Sequence, residues 1–428
     1  MNSPQKPVLV ELPDSHRGAI VLGDPDYHRD PAEVFSALRR TYGPVAPVLL
    51  VGQVPAWLVL GHRELTQVTT DTRLFARKAA RWRLREQLPA DWPLWPMLGG
   101  GHTESSLLYT EGDEHRQRAG AVSRALASVD PVEFRAQCES RAEDLVDSFA
   151  HSGRAELMAH YALLLPVMVM GWALGVPTEE HRDLVAAFTD QLAGGDRALA
   201  GHQHIRRTMQ ELVRRVRERP SADVASRLAA DPVGLSDEQL CQDLIVTILA
   251  GHQTTAYWMG NATYRMLVDR RHTDAFIRGR LAVSQALREV LWDDTPTAIF
   301  AGRWTSRPAH LGHVTIPAGD LVLLGLAAGN CDPHLRPEPG AGMRGSRAYL
   351  SYSHGPHSCP DPARDLAETI VTAGIEVLLD RLPDLHLACP PEQVRWQPSV
   401  WMRGLESLPV TFTPTPPTTR YAGGTPWI

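Results

Sequence analysis

Lysine is almost missing from this chain of 428 residues: among its 43 lysines and arginines only Lys6 and Lys78 are lysines. A G+C-rich genome is the plain source of that skew; an arginine-rich surface that docks an acidic protein is the other. Positive charge in excess is missing too. A formal net charge of -6 argues against a nucleic-acid binder, whose phosphate-binding face needs concentrated positive charge. No stretch approaches the roughly 20 apolar residues that cross a bilayer. Residues 1–14, with Pro4, Pro7, Glu11 and Asp14, hold no signal-peptide core. A cytoplasmic protein without a membrane segment is expected. Cysteine is scarce: Cys138, Cys241, Cys331, Cys359 and Cys389 are scattered and odd in number, with neither metal-finger spacing nor a disulfide framework. Hydrophobic residues at 43% and charged residues at 21% leave room for an ordinary packed core.

What is present falls into helical and strand patterns. Val45–Leu50 and Ala56–Leu60 read as two short strands around a Gly52–Gln53 turn, with a helix before them and another at His62–Thr69. Residues 77–101, with Trp82, Trp92, Trp95, Gly99, Gly100 and Gly101, read as a long irregular loop of the kind that carries binding contacts. From Asp113 to about Arg219 the pattern is helical, broken near residues 129–131, Gly153 and Pro177. The clearest element starts at Ser236, which forms a capping box with Gln239 between Leu235 and Leu240. Leu240, Leu244, Ile248 and Leu249 keep the helical period, and no proline intervenes before Pro296, so a helix of about 30 residues runs to about Val268. Short strands and loops follow from about Ile299. A last helix begins near Asp361, with Leu366, Ile370, Ala373 and Val377 on one face, and residues 414–428 form a loose tail.

One cysteine stands in a chemical context. In Tyr349-Leu350-Ser351-Tyr352-Ser353-His354-Gly355-Pro356-His357-Ser358-Cys359-Pro360 it follows a Gly-Pro loop and precedes a helix whose first turn suits Pro360 and Pro362. Unpaired N–H groups and partial positive charge at a helix start favour a thiolate, and a thiolate on haem iron favours O–O cleavage. A lone cysteine is also commonly a small buried hydrophobe, so the loop by itself leaves both readings open.

The segment resembles the haem loop of the cytochrome P450 family, Phe-Gly-x-Gly-x-x-x-Cys-x-Gly. Gly355, His357 and Cys359 match; Tyr352, Ser353 and Asp361 replace the phenylalanine and two glycines. Ala250-Gly251-His252-Gln253-Thr254 is similar to the family's oxygen-binding motif, in which a mid-helix threonine bonds back to the carbonyl four residues earlier. Arg303-Trp304-Thr305, followed by Gly312 and Ile316-Pro317-Ala318-Gly319, resembles the strand pair whose arginine binds a haem propionate, a task that suits a planar guanidinium. Gly112-Asp113-Glu114-His115 resembles the entry to the helix whose histidine reaches a propionate. That helix's usual arginine is Ala119 here, which leaves Arg116 or Arg118 as substitutes. Ala328-Gly329-Asn330-Cys331-Asp332-Pro333 and Arg403-Gly404-Leu405 extend the resemblance over roughly residues 25–413, between an N-terminal extension of residues 1–24 and the tail. The family's Glu-x-x-Arg reads Glu289-Val290-Leu291-Trp292, a variation shared with an atypical subgroup. Arg288, Arg344 and Arg347 are then candidate partners of Glu289, with Trp292 packed beside it.

The resemblance implies a mainly α protein with a smaller β portion, the cytochrome P450 fold, with haem b (iron protoporphyrin IX) between the long central helix and the cysteine loop. It implies a monooxygenase that uses dioxygen on a small apolar or aromatic secondary metabolite. NAD(P)H electrons would arrive through a ferredoxin reductase and a ferredoxin, docked where Arg344, Arg347 and Arg364 cluster in sequence. Thr254, Gln253 and Glu289 are the expected catalytic residues. His115, Arg118, Ala250, Gly251, Arg303, Tyr352, Gly355, His357 and Cys359 are the expected haem contacts, and Cys359 is the iron ligand. Gln253 stands where the family has an acid and cannot exchange a proton as an acid does, which makes an oxidative coupling or peroxide-using variant attractive. A non-catalytic helper and a haem sensor without turnover are the alternatives.

Overall fold

In a computed structural model, which describes residues 10–99, 105–193, 197–269, 280–336 and 346–417, helices dominate and a smaller sheet portion flanks them. Helix α1 (Pro31–Tyr42) starts where the Asp30 carboxylate accepts the Glu33 N–H at 3.1 Å and Pro31 takes the first helical position. Strands β1 (Val45–Leu50) and β2 (Val54–Val59) pair antiparallel across Gly52 and Gln53, both at positive φ, so the hairpin turn is where the sequence puts it and β2 begins two residues earlier than expected. Helix α2 (His62–Thr70) and β3 (Phe75–Ala76) follow. Before α1, the Leu22 N–H reaches the Leu49 carbonyl at 2.7 Å. Residues 21–22 of the expected N-terminal extension therefore lie against the sheet.

The helical layers are α3 (Gly112–Ala127), α4 (Pro131–Phe149), α5 (Leu164–Leu174), α6 (His181–Ala193), α7 (Ala198–Glu218), the central α8 (Asp237–Val268) and α9 (Arg280–Asp293). Strands β4 (Phe300–Thr305) and β5 (Leu321–Leu324) complete a five-stranded sheet of order β1-β2-β5-β4-β3, in which only the β2–β5 pair is parallel. Helix α10 (Asp361–Arg381) closes the fold against α4 and α8.

Helix α8 is 32 residues long because both ends are specified. Ser236 and Gln239 close the capping box reciprocally, at 3.3 and 3.0 Å. Most of its faces are apolar and pack on α5, α7 and α10, as a helix through the middle of a core requires. No helix among the described residues is long and apolar enough to cross a membrane.

The tryptophan-rich segment is not an open binding loop. It folds into short turns and a one-turn helix at Trp95–Leu98. Trp82, Trp92 and Trp95 pack on one another, with centroids 5.5–5.8 Å apart, and Trp82 meets Trp304 of β4 at 6.4 Å. Burying such large apolar rings together outweighs leaving them as a lining. Gly100 and Gly101 lie outside the described residues.

Replacing Ser236 by alanine removes one half of the capping box. Unfolding stability should fall by about 1 kcal/mol, measured as a shifted denaturant midpoint at unchanged slope.

Candidate functional site

Cys359 lies between a 3-10 turn (Gly355–His357) and α10, half-buried. Its N–H donates to the Tyr352 carbonyl at 3.0 Å, and its carbonyl accepts Nε of Arg364 at 2.8 Å. The loop is therefore pinned from both sides by backbone bonds that do not involve the sulfur. Burial pushes the Cys359 thiol up to about 11, against the pull of the Arg364 guanidinium. Two residues of this loop adopt left-handed backbone, Ser353 at φ 60° and Gly355 at φ 73°. At Gly355 a Cβ would come within 2.4 Å of the Thr69 carbonyl oxygen, so glycine is required there by contact as well as by φ. Ser353 holds a glycine's conformation with a side chain, and its buried Oγ has no partner among the described residues.

A buried cationic cradle adjoins the loop. Arg303 of β4 is 0% exposed, and none of its three guanidinium nitrogens finds a hydrogen-bond partner among the described residues. Burial and the neighbouring Arg77 hold that guanidinium well below its ordinary range. Arg77 is buried as well. It donates Nε to the Leu108 carbonyl and Nη1 to the Ala301 and Gly302 carbonyls, and Nη2 takes part in none of these bonds. His115 stacks on His357, ring centroids 3.7 Å apart, and hydrogen-bonds the Leu107 and Pro356 carbonyls at 3.2 and 3.1 Å. Burial, and then Arg77, Arg303 and His115, depress the His357 imidazole, which keeps it neutral. An uncompensated buried guanidinium is costly unless an anion joins it. Two carboxylates on one ligand, as haem carries, fit that requirement.

Arg118 is not part of the cradle. Its fork closes on Asp243 of α8, Nη2 at 2.6 Å and Nε at 3.1 Å, with both side chains buried. Asp243 also accepts the Leu107 N–H at 3.1 Å, and Arg118 donates to the Ser105 carbonyl at 2.7 Å. Arg116 stays at the surface with Asp113. Sequence spacing offered both as propionate donors. The structure directs one to α8 and the other to its own helix, and puts Arg77 beside the cradle instead. Its one signal in the sequence was an arginine heading an otherwise apolar, tryptophan-rich segment.

On α8 the hydroxyl of Thr254 donates to the Ala250 carbonyl at 2.5 Å. Val246, Thr247, Ala250, Gly251 and Thr254 form a partly exposed stripe, whereas Ile245, Ile248, His252, Gln253 and Thr255 are buried. Ala250 and Thr254 thus share an open face with helical spacing, and Gln253 turns into the core beside Tyr257. Nε2 of His252 donates to the Leu163 carbonyl at 2.8 Å, and the ring packs on Phe188; burial lowers it to about 4. It is a neutral core histidine.

Glu289 belongs to a separate layer, on α9, which buttresses the cysteine loop. The Leu291 carbonyl receives Asn330 Nδ2 at 3.0 Å and the Ser351 hydroxyl at 2.7 Å, and Asn330 in turn accepts the Leu350 N–H at 2.6 Å. Of the expected partners of Glu289, Arg288 and Arg347 both turn to Glu368, and Arg344 lies outside the described residues. Trp292 is gripped on its own terms. Its indole donates to the Ser346 carbonyl at 3.3 Å, meets Tyr349 edge-on at 5.7 Å, and lies under the Arg336 guanidinium at 5.7 Å. Arg336 also pairs with Asp293 at 2.7 Å. A tryptophan thus holds the later segment by stacking and one hydrogen bond, where an arginine would do so by charge.

No family model matches the chain. It is 27% identical over 411 residues to cytochrome P450 107B1 of Saccharopolyspora erythraea, covering 94% of this chain and 98% of that one. It is 30% identical over 398 residues to vitamin D(3) 25-hydroxylase of Pseudonocardia autotrophica, covering 91% and 95%. Among solved structures, CYP154C4 of a Streptomyces species superposes with a TM-score of 0.84 at 26% identity, over 92% of this chain and 98% of that one.

Two substitutions test the site without a substrate. Arg303→Met should stabilise the haem-free protein by about 1–4 kcal/mol, because it deletes a buried charge with no hydrogen-bonded partner among the described residues. The same change should speed haem loss to an acceptor apoprotein; destabilisation of the haem-free form would refute the cradle. Ser353→Gly should raise unfolding stability by on the order of 1 kcal/mol, by relieving a left-handed serine and its orphan hydroxyl.

Proposed function

The chain belongs to the cytochrome P450 family and is a monooxygenase, and we propose that it oxidises a small apolar or aromatic secondary metabolite with electrons from a ferredoxin and its NAD(P)H-dependent reductase. The observation that carries the haem-thiolate reading is Arg303: a fully buried guanidinium without a partner among the described residues, beside His357, two residues before Cys359. A haem supplies dioxygen activation and the insertion of one oxygen atom when it is bound.

The chain's own residues do the rest. Arg303 and Nη2 of Arg77 would hold the propionates, as planar forks suit carboxylates. Cys359 would present its sulfur to the iron from a loop fixed by the Tyr352 carbonyl and Arg364. The exposed stripe of α8 puts the Thr254 hydroxyl on the open face, where it can hold a water and pass a proton. Gln253 cannot act as an acid and faces Tyr257, so protons travel through water at this site. That weakens the dioxygen route relative to peroxide and keeps peroxide use within the proposal. The name of the Pseudonocardia relative, a vitamin D(3) hydroxylase, supports an apolar substrate. Arg347 and Arg364 would contribute to the ferredoxin-docking face near Cys359, softened by Glu368 and Asp361.

Reduced with dithionite and exposed to carbon monoxide, the purified protein should show the Soret band at the wavelength from which the family takes its name. Cys359→Ala should keep the fold, since the bonds at that residue are backbone bonds, and should lose that band. A protein that takes up no haem after supplementation would overturn the reading.

A further inference from the structure

Four of the chain's 11 tryptophans meet in one cluster. The path begins at the cradle, where the Arg77 guanidinium lies over Tyr109 at 5.2 Å. Tyr109 meets Trp304 at 6.5 Å, Trp304 meets Trp82 at 6.4 Å, and Trp82 meets Trp95 at 5.8 Å. Tyr109, Trp304 and Trp82 are buried, and Trp95 is half-buried, so the series runs from the site to the surface. The indole Nε1 of Trp82 and of Trp304 is buried without a hydrogen-bond partner among the described residues. Two orphan donors in contacting rings are a cost that phenylalanine would not incur. Apolar packing therefore does not explain why these positions are tryptophan; ease of oxidation, which phenylalanine lacks, does.

We propose that Tyr109, Trp304, Trp82 and Trp95 form a relay that carries electrons from the protein surface to the haem site when peroxide reacts there without substrate. The inference rests on the haem-thiolate reading above. Electron transfer falls off steeply with distance, and rings in contact divide one long step into short ones. Among the described residues Trp304 and Trp82 have no acceptor for their N–H proton, so losing an electron there is reversible. The Tyr109 phenol holds its proton, with burial pushing it up to about 12, and the Arg77 cation opposes positive charge resting on its ring. Oxidation therefore comes to rest at Trp95, whose half-buried indole N–H has an acceptor in the exposed Pro89 carbonyl at 2.8 Å. The balance closes with peroxide as oxidant. Hydrogen peroxide accepts two electrons and two protons, its O–O bond breaks and two waters form. Trp95 gives up two electrons and one proton in two passes, and one water adds its hydroxyl to the ring and releases the second proton.

The haem-loaded protein is treated with hydrogen peroxide without substrate, digested, and its peptides weighed. One-oxygen adducts should concentrate on Trp95. Trp82→Phe, which keeps a ring in the gap but breaks the relay, should lower Trp95 oxidation several-fold and speed bleaching of the Soret band. Trp95→Phe, at the half-buried end and so mild for the fold, should shift adducts to Trp92, whose indole donates to the Val51 carbonyl at 3.0 Å. Adducts that simply track exposure, that appear equally in haem-free protein, or that ignore both substitutions overturn the relay and leave the P450 reading intact. Failure to form a Soret band at all overturns that reading and the relay with it.

Discussion

A buried cation organises this molecule. Arg303 is buried on a central strand with no partner among the described residues, and the surroundings keep it buried instead of letting it reach solvent. Arg77 lies alongside, fixed by three carbonyls, and the stacked pair His115 and His357 closes the other side. Such an arrangement is unfavourable by itself, and the two carboxylates of a haem would relieve it. The placement of strands, cysteine loop and α3 follows from bringing these groups together.

The second requirement is that the loop bearing Cys359 be rigid, and here the chain reaches a familiar end by an unfamiliar route. Carbonyls and amides from α9 and Asn330 fasten the segment before the loop. Trp292 joins the later segment by an indole hydrogen bond and by lying under Arg336. Contacts of this buried indole are less sensitive to salt than an exposed ion pair, and the Arg336–Asp293 bond keeps that guanidinium in position.

Much of the architecture was legible in the sequence, and for local reasons. Helix α8 announces both its start and its length, because a capping box and an unbroken period are properties of neighbours in the chain. The Gly52–Gln53 turn is equally local. Gly355, Cys359 and Arg303 stood out through their spacing within short segments. What escaped was long-range direction. No spacing tells that Arg118 turns to a carboxylate 125 residues later in the chain, that Arg77 joins Arg303, or that Arg288 and Arg347 choose Glu368. The tryptophan-rich segment misled because composition marks an irregular loop but does not say which way its side chains face.

The Asp243 carboxylate ties three pieces together: α8, which bears it, α3 through Arg118, and the start of the segment at 105–109 through the Leu107 amide and, by way of Arg118, the Ser105 carbonyl. Separating α3 from α8 at this point would strand a buried ion pair, at a cost of about 3–5 kcal/mol for an uncompensated charge. This seam is therefore a hinge-proof edge of the site.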